Sequence, residues 1–252
     1  MRSTPASEML MERLNFYRRI ELSPPMRERR RAARRYLRGE GIEIGALHIR
    51  QVVSRGARVL YVDRFDEKEA RRVYPKLRTN QLVEVDIVDD GETLTTIEAG
   101  SLDFIIANHM IEHCENPLQT LENWLDKLRL DGVIFMAIPD MAHTFDRKRE
   151  PTSPEHLLRD WQERSDWSLR EHYEEFGRHV NGLSGAALDD YVEAALQKRE
   201  NIHFHAWRAT HFLSALLCFE RELCARRHLG GAFNIELCQS NGAEFLVVLR
   251  KS

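Results

Sequence analysis

"GIEIGALHIRQ", residues 41–51, reads as a short buried strand ending on a single glycine, Gly45. The pattern downstream of it sets the fold class. "ARVLYVD" (57–63), "LVEVDIV" (82–88), "LDFIIANHM" (102–110) and "GVIFMAIP" (132–139) are apolar runs of strand length, and "DEKEARRVY" and "PLQTLENWLDKLRL" between them have helical spacing. Near-continuous apolar strands alternating with helices predict a parallel sheet covered on both faces. "FNIELCQSNGAEFLVVLRK" (233–251) adds two strands around a hairpin signal, predicting antiparallel strands at one edge.

In a doubly wound sheet the ligand sits beyond the carboxyl ends of the strands, where the strand order reverses, so the loop after the first strand is the expected site. A dinucleotide needs bare backbone at three glycines against its pyrophosphate. Here Gly45 is followed by Ala46, Leu47, His48, Ile49 and Arg50, and side chains block two of those positions. The loop suits a phosphate-free ligand whose ammonium is met by the Glu43 carboxylate and whose chain lies on bare backbone at Gly45. Asp63, at the end of the second strand, can accept from both ribose hydroxyls. Asp86 and Ile87 are expected at the end of the third strand, against an adenine amino group and ring face, and Asn108 and His109 at the end of the fourth.

"EIGALH", "YVDRF", "VEVDIVDDGETL", "SLDFIIANHMIEHCENP" and "LDGVIFMAIPD" resemble, in order, the motifs of class I S-adenosylmethionine-dependent methyltransferases with a Glu-His pair after the fourth strand. The resemblance is close over residues 41–140 and looser over the last two strands. It implies a doubly wound, mostly parallel seven-stranded sheet of Rossmann-like methyltransferase type, with S-adenosylmethionine held by Glu43, Gly45, Ala46, Asp63, Arg64, Asp86, Ile87, Asn108 and His109. "PDMAHTFDRKREPTSPEHLLRDW" and "HFHAW" further resemble a bacterial subgroup linked to glycan and cell-surface polysaccharide pathways. Leu47 and His48 depart from the family, which places further glycines there.

Methyl transfer to a hydroxyl requires in-line alignment and removal of a proton. His109 is the first candidate for the base. Asp140 and His143, after the fifth strand, are further catalytic candidates, and His113 is read as fixing its loop with Glu112. Thr144, Asp146, Arg149, His156, His205 and Trp207 are candidate acceptor contacts, with the alternative that Asp146 and Arg149 pair with each other. His203 and His205 alternate in "HFHAW" and with Asp140 could form a divalent metal site; packing histidines are the more common outcome, and no metal is assigned. Trp161, Trp167, Trp207, Tyr173 and Phe176 would otherwise form a core of their own.

The expected organisation is a helical extension over residues 1–40, including a helix over 7–22, then a methyltransferase domain over 41–252 with an inserted helical cap at 141–202. "MRERRRAARRYLR" (26–38) concentrates seven arginines on one helix, read as a solvated helix with its alanines, Tyr36 and Leu37 inward. The net charge of −3 gives no electrostatic case for nucleic acid. No apolar run approaches bilayer length and no secretory leader is evident. Four cysteines without paired spacing read as reduced thiols of a cytoplasmic protein. The expected activity is O-methylation of a glycan or other small-molecule hydroxyl, with a homodimer through the extension or cap left open. An RNA or protein methyltransferase docking through the arginine helix, and a non-catalytic partner-binding module, are the alternatives; a nicotinamide-dependent oxidoreductase ranks last.

Overall fold

The computed structural model describes residues 23–73 and 81–252. The helix expected over 7–22 lies outside these residues.

Pro24 starts the first described helix, α1 (Pro24–Tyr36), at a position where a missing N–H costs nothing. Its inner stripe of Ala32, Ala33 and Tyr36, followed by Leu37, is buried as expected. The strands come next as β1 (Gly39–Ile44), β2 (Ala57–Asp63), β3 (Ile87–Val88), β4 (Leu102–Asn108) and β5 (Leu128–Pro139), with helices α2 (Glu67–Val73) and α3 (Pro117–Lys127) between them. Three helices lie after β5: α4 (Pro154–Glu163), α5 (Leu169–His179) and α6 (Ala186–Lys198). The chain then forms α7 (Ala209–Arg227), β6 (Phe233–Asn241) and β7 (Glu244–Lys251).

The seven strands lie in the order β3-β2-β1-β4-β5-β7-β6. The first five are parallel and β7 is antiparallel to both neighbours, as the hairpin signal predicts. The order reverses between β1 and β4, which places a crevice above their carboxyl ends. Alternate residues of β4 explain the two layers. Phe104 and Ile106 pack with Tyr36 and Leu37 beneath α1, whereas Ile105 and Ala107 join the larger core with Trp124 of α3, Trp161 of α4 and Phe219 of α7. Gly41 is required where β1 pairs with β4, because a Cβ there would lie 2.2 Å from the Phe104 carbonyl oxygen.

The third strand is shorter than the expected 82–88. Residues 81–85 run outside the ladder, where the Val83 N–H donates to the Leu47 carbonyl at 2.7 Å. The Asp86 carboxylate takes the Tyr61 N–H at 2.8 Å, doing with a side chain what a ladder carbonyl would do. Residues 141–202 also divide more finely than one cap. Leu157 and Trp161 of α4 belong to the main core, while α5 and α6 carry a separate core of Leu169, Tyr173, Leu188, Val192, Ile202 and Phe204. Phe176 packs on that smaller core, Trp207 on the main one, and Trp167 stays half-exposed. Among the described residues no helix is long and apolar enough to cross a membrane.

Candidate active site

A cleft of about 750 Å³ opens above the β1/β4 reversal. Gly45, Leu47, Asp63, Arg64, Asp90, Gly91, His109 and Met110 line it from the sheet, and Arg164, Arg199 and Asn201 from the segment after β5. Gly45 sits at φ +66 with nothing within 4 Å of a Cβ built on it, so its backbone is open to a ligand. Leu47 also takes a left-handed φ of 47, a conformation that costs a leucine about 1–2 kcal/mol. The loop therefore keeps the glycine-type bend that its sequence lacks. No helix is formed after β1 over residues 45–56, so the first loop offers no helix N-terminus to a pyrophosphate.

The acidic residues fall differently from expectation. Glu43 is 1 % exposed and does not line the cleft; both carboxylate oxygens accept the Gln51 N–H at 2.9 Å. Burial pushes its carboxyl up to about 7. Asn108 turns the same way, its amide donating to Gln51 Oε1 at 3.4 Å. Both residues are thus joined to the loop after β1 through Gln51. Ala46 faces a small neighbouring pocket beside Tyr61, although Asp63 borders both.

Asp86 is corrected as a rim residue, together with Ile87. Val88 pairs with Asp63, so the third strand ends two residues beyond Asp86, whose carboxylate is engaged with Tyr61. The residue that reaches the rim is Asp90, which the sequence reading missed. Its carboxylate accepts from Arg64 at 2.8 Å and from the Glu92 N–H at 2.9 Å. Burial, then the Asp90 charge, push the neighbouring Glu92 up to about 7.

His109 is the expected base that the fold delivers to the cleft. It leaves β4 at φ +52 with its side chain 46 % exposed. Its Nε2 lies 3.0 Å from Glu244 Oε2, on β7, a second residue the sequence reading missed. Glu244 is buried and also accepts from Asn241 Nδ2 at 2.6 Å and from the guanidinium of Arg29. Against the upward push of burial, Arg29 and His109 hold its carboxyl at about 2. In the neutral form of the ring, a hydrogen bond to an ionised Glu244 places the imidazole proton on Nε2 and the lone pair on Nδ1. On the Nδ1 side, 3.8 Å away, Glu112 is 2 % exposed, with neither carboxylate oxygen hydrogen-bonded. Burial, reinforced by the Asp146 charge, pushes it up to about 8, so it is a neutral acid at pH 7. His113 pairs with Asn201 and the Ile202 carbonyl, at 2.7 and 2.9 Å, and not with Glu112.

The residues expected to bind the acceptor are mostly structural. Asp140 accepts the Ala142 N–H at 2.9 Å and is buried as a cap, while His143 is exposed on the turn it starts; neither lines the cleft. Asp146 and Arg149 do pair, at 3.0 Å, with Thr144 bonded to Asp146 at 3.1 Å. Arg149 continues to the His203 and Phe204 carbonyls and to Glu175, which removes it from an acceptor. Trp207 is fully buried and stacked on His205, which is itself buried. The Asp140, His203 and His205 metal triad does not form, because residues 203–206 join no ladder and their side chains do not share a face. His203 bonds Asp146 at 2.7 Å, whereas His205 turns to His156 and His172.

The sequence matches the family model described as a methyltransferase domain over residues 22–195. No curated protein matches it. Similar solved structures include an S-adenosylmethionine-dependent methyltransferase from Aquifex aeolicus, 12 % identical with both chains covered in full at a TM-score of 0.48. A protein from Pyrococcus horikoshii is 16 % identical, covering 85 % of this chain and 82 % of its own, at a TM-score of 0.41.

Proposed function

Because the chain belongs to the methyltransferase-domain family, with the class I fold and S-adenosylmethionine as its cofactor, we propose that its acceptor is a hydroxyl of a glycan or other small molecule, activated by His109. The observation that carries this reading is the buried Arg29–Glu244 pair that holds His109, the member of the array that lines the cleft. An amine acceptor that is already neutral has no need of a base. A hydroxyl does, and His109 has the carboxylate partner that would orient such a base and stabilise its protonated form.

The cleft suits the cofactor on its own evidence. Its volume is in the range of small-molecule sites. Bare backbone at Gly45 and the carboxylates of Asp63 and Asp90 favour a cationic ligand with a ribose over a pyrophosphate. Asp63 and Asp90 would hold the nucleoside, and Leu47 and Met110 would lie against apolar parts of the ligand. Bound S-adenosylmethionine supplies an electrophilic sulfonium methyl. The protein's part is to align the acceptor oxygen and take its proton onto His109 Nδ1, with Glu244 stabilising the imidazolium that results. Arg164, Arg199 and Asn201 at the mouth supply donors suited to a polyhydroxylated acceptor. Arg29 is drawn inward to Glu244, so it is not among the arginines that α1 could offer to an RNA.

Calorimetric titration with S-adenosylmethionine and S-adenosylhomocysteine tests the pocket, and transfer of labelled methyl to a panel of glycans and nucleotide sugars tests the acceptor. Cofactor binding in the micromolar range with label on a hydroxyl, lost in His109→Ala, is expected. Label found only on amines or on RNA, or at wild-type rate in the variant, would overturn the hydroxyl reading.

A further inference from the structure

Beneath the segment that closes the cleft, three histidines and one aspartate converge. His156 and Asp160 lie one turn apart on α4, His172 comes from α5, and His205 from the extended run before α7. One ligand atom from each lies within 4.8 Å of the corresponding atoms of the others. His156 Nε2 is 3.2 Å from His172 Nε2 and 3.2 Å from Asp160 Oδ2. The edge of a tetrahedron with metal bonds of 2.0–2.1 Å is about 3.3–3.4 Å, so the closest members already stand near the spacing of ligands around one zinc ion.

The hydrogen bonds leave this cluster unsatisfied at its centre. Asp160 is fully buried; Ser168 Oγ donates to its Oδ1 at 2.9 Å, while Oδ2 has no hydrogen-bond partner. His205 is also fully buried, with Nε2 directed to the Glu115 carbonyl at 3.4 Å and Nδ1 unpartnered. His172 is bonded through its ring to the Phe204 backbone. A single proton on His156 Nε2 can serve His172 or Asp160, but not His205 as well. Without a cation, then, buried acceptors face one another with too few donors, a costly arrangement. A divalent ion answers all of them at once. The outward bonds to Ser168, Glu115 and Phe204 are the supports that orient metal ligands, fixing which ring nitrogen carries the lone pair.

We propose that His156, Asp160, His172 and His205 form a four-coordinate zinc site. The ligand set of three imidazoles and one carboxylate favours zinc over magnesium or calcium, which take oxygen ligands. All four positions come from the protein and only His156 reaches the surface, with its side chain 21 % exposed, so the site is structural. It ties α4 and α5 to the run at 203–207. The loop between Asp160 and His172 carries Arg164 and Ser165 to the cleft, so the ion would fix the acceptor-side wall.

The test uses the full chain, stripped with chelator and reloaded with zinc chloride or cobalt chloride, beside Asp160→Asn and His156→Gln. Both substitutions keep the side-chain volume. Circular dichroism and S-adenosylhomocysteine binding report whether the variants fold. Elemental analysis should find about one zinc per chain in the wild type and little in either folded variant. Cobalt should give the intense visible bands of tetrahedral coordination in the wild type only. Chelator should lower the melting temperature of the wild type and leave the variants unmoved. A wild type that takes up no zinc, or folded variants that retain as much, would overturn the site. Because the readouts are metal content and spectrum, the result stands apart from the identity of the acceptor.

Discussion

Glu112→Gln is expected to stabilise the protein and to flatten part of its pH dependence. The wild-type carboxyl is displaced from 4.5 to about 8 by burial. An unfolded chain at pH 7 carries this group ionised, so folding must protonate it. At about 1.4 kcal/mol per unit, the gap between 4.5 and pH 7 amounts to about 3 kcal/mol opposing the native state. The native state holds the extra proton between its unfolded and folded values. This contribution to stability is therefore most favourable below pH 4.5 and is lost as pH rises toward 8. Glutamine fills the same space without ionising. Urea unfolding of both proteins at pH 5, 6, 7 and 8 should show a difference that widens from about 1 kcal/mol at the lowest pH to about 3 kcal/mol at pH 7. Glu43 and Glu92, displaced in the same direction, titrate in both proteins and cancel in the comparison. Parallel pH curves, or a variant less stable at pH 8, would show that Glu112 is ionised in the native state and that the reasoning is wrong.

Asp63→Ala and Asp90→Ala should each weaken S-adenosylmethionine binding about 10- to 100-fold by calorimetry, the range for losing a charged hydrogen bond, whereas Asp86→Asn should leave binding unchanged. His109→Ala should lower kcat by about 10²–10⁴ with cofactor affinity retained. Glu244→Gln should lower kcat less and change its pH profile, because the imidazole loses its charged partner. Arg29→Ala leaves the buried Glu244 carboxylate without its guanidinium and should destabilise the fold by about 3–5 kcal/mol in urea unfolding. The stability that Glu244 draws from its partners is present above 4.5 and is lost as pH falls through about 2, so the penalty of that variant should shrink in acid.

The parallel strands, the edge hairpin and the inner face of α1 are readable from sequence because apolar runs and helical stripes are local patterns. Gly45, Asp63 and His109 are readable for the same reason, each being the polar or bare residue that terminates a run. The features hidden from sequence depend on register or on distant pairing. Asp86 and Asp90 both come after apolar residues, and only the pairing of Val88 with Asp63 decides which of them stands at the rim. Glu244 opens an ordinary apolar strand, and its role comes from the sheet order that sets β7 beside β5. The alternation of His203 and His205 suggests a shared face, but that inference holds only inside a ladder, and here the two rings diverge. Arg29 reads as one more solvated arginine until its partner, 215 positions away in sequence, is in view.

The clamp on His109 draws on both flanks of the chain, since Arg29 precedes the first strand and Glu244 stands on the last. The five parallel strands in turn share their larger core with α7 and β7, through Phe219, Val247 and Leu249. The proposed base has its carboxylate partner because β7 lies beside β5 and against α1. A chain clipped within its final hairpin would thus lose both the carboxylate that orients the proposed base and part of the core beneath the crevice. Turnover is then expected to report the integrity of the last strand and of α1 as well as that of the crevice.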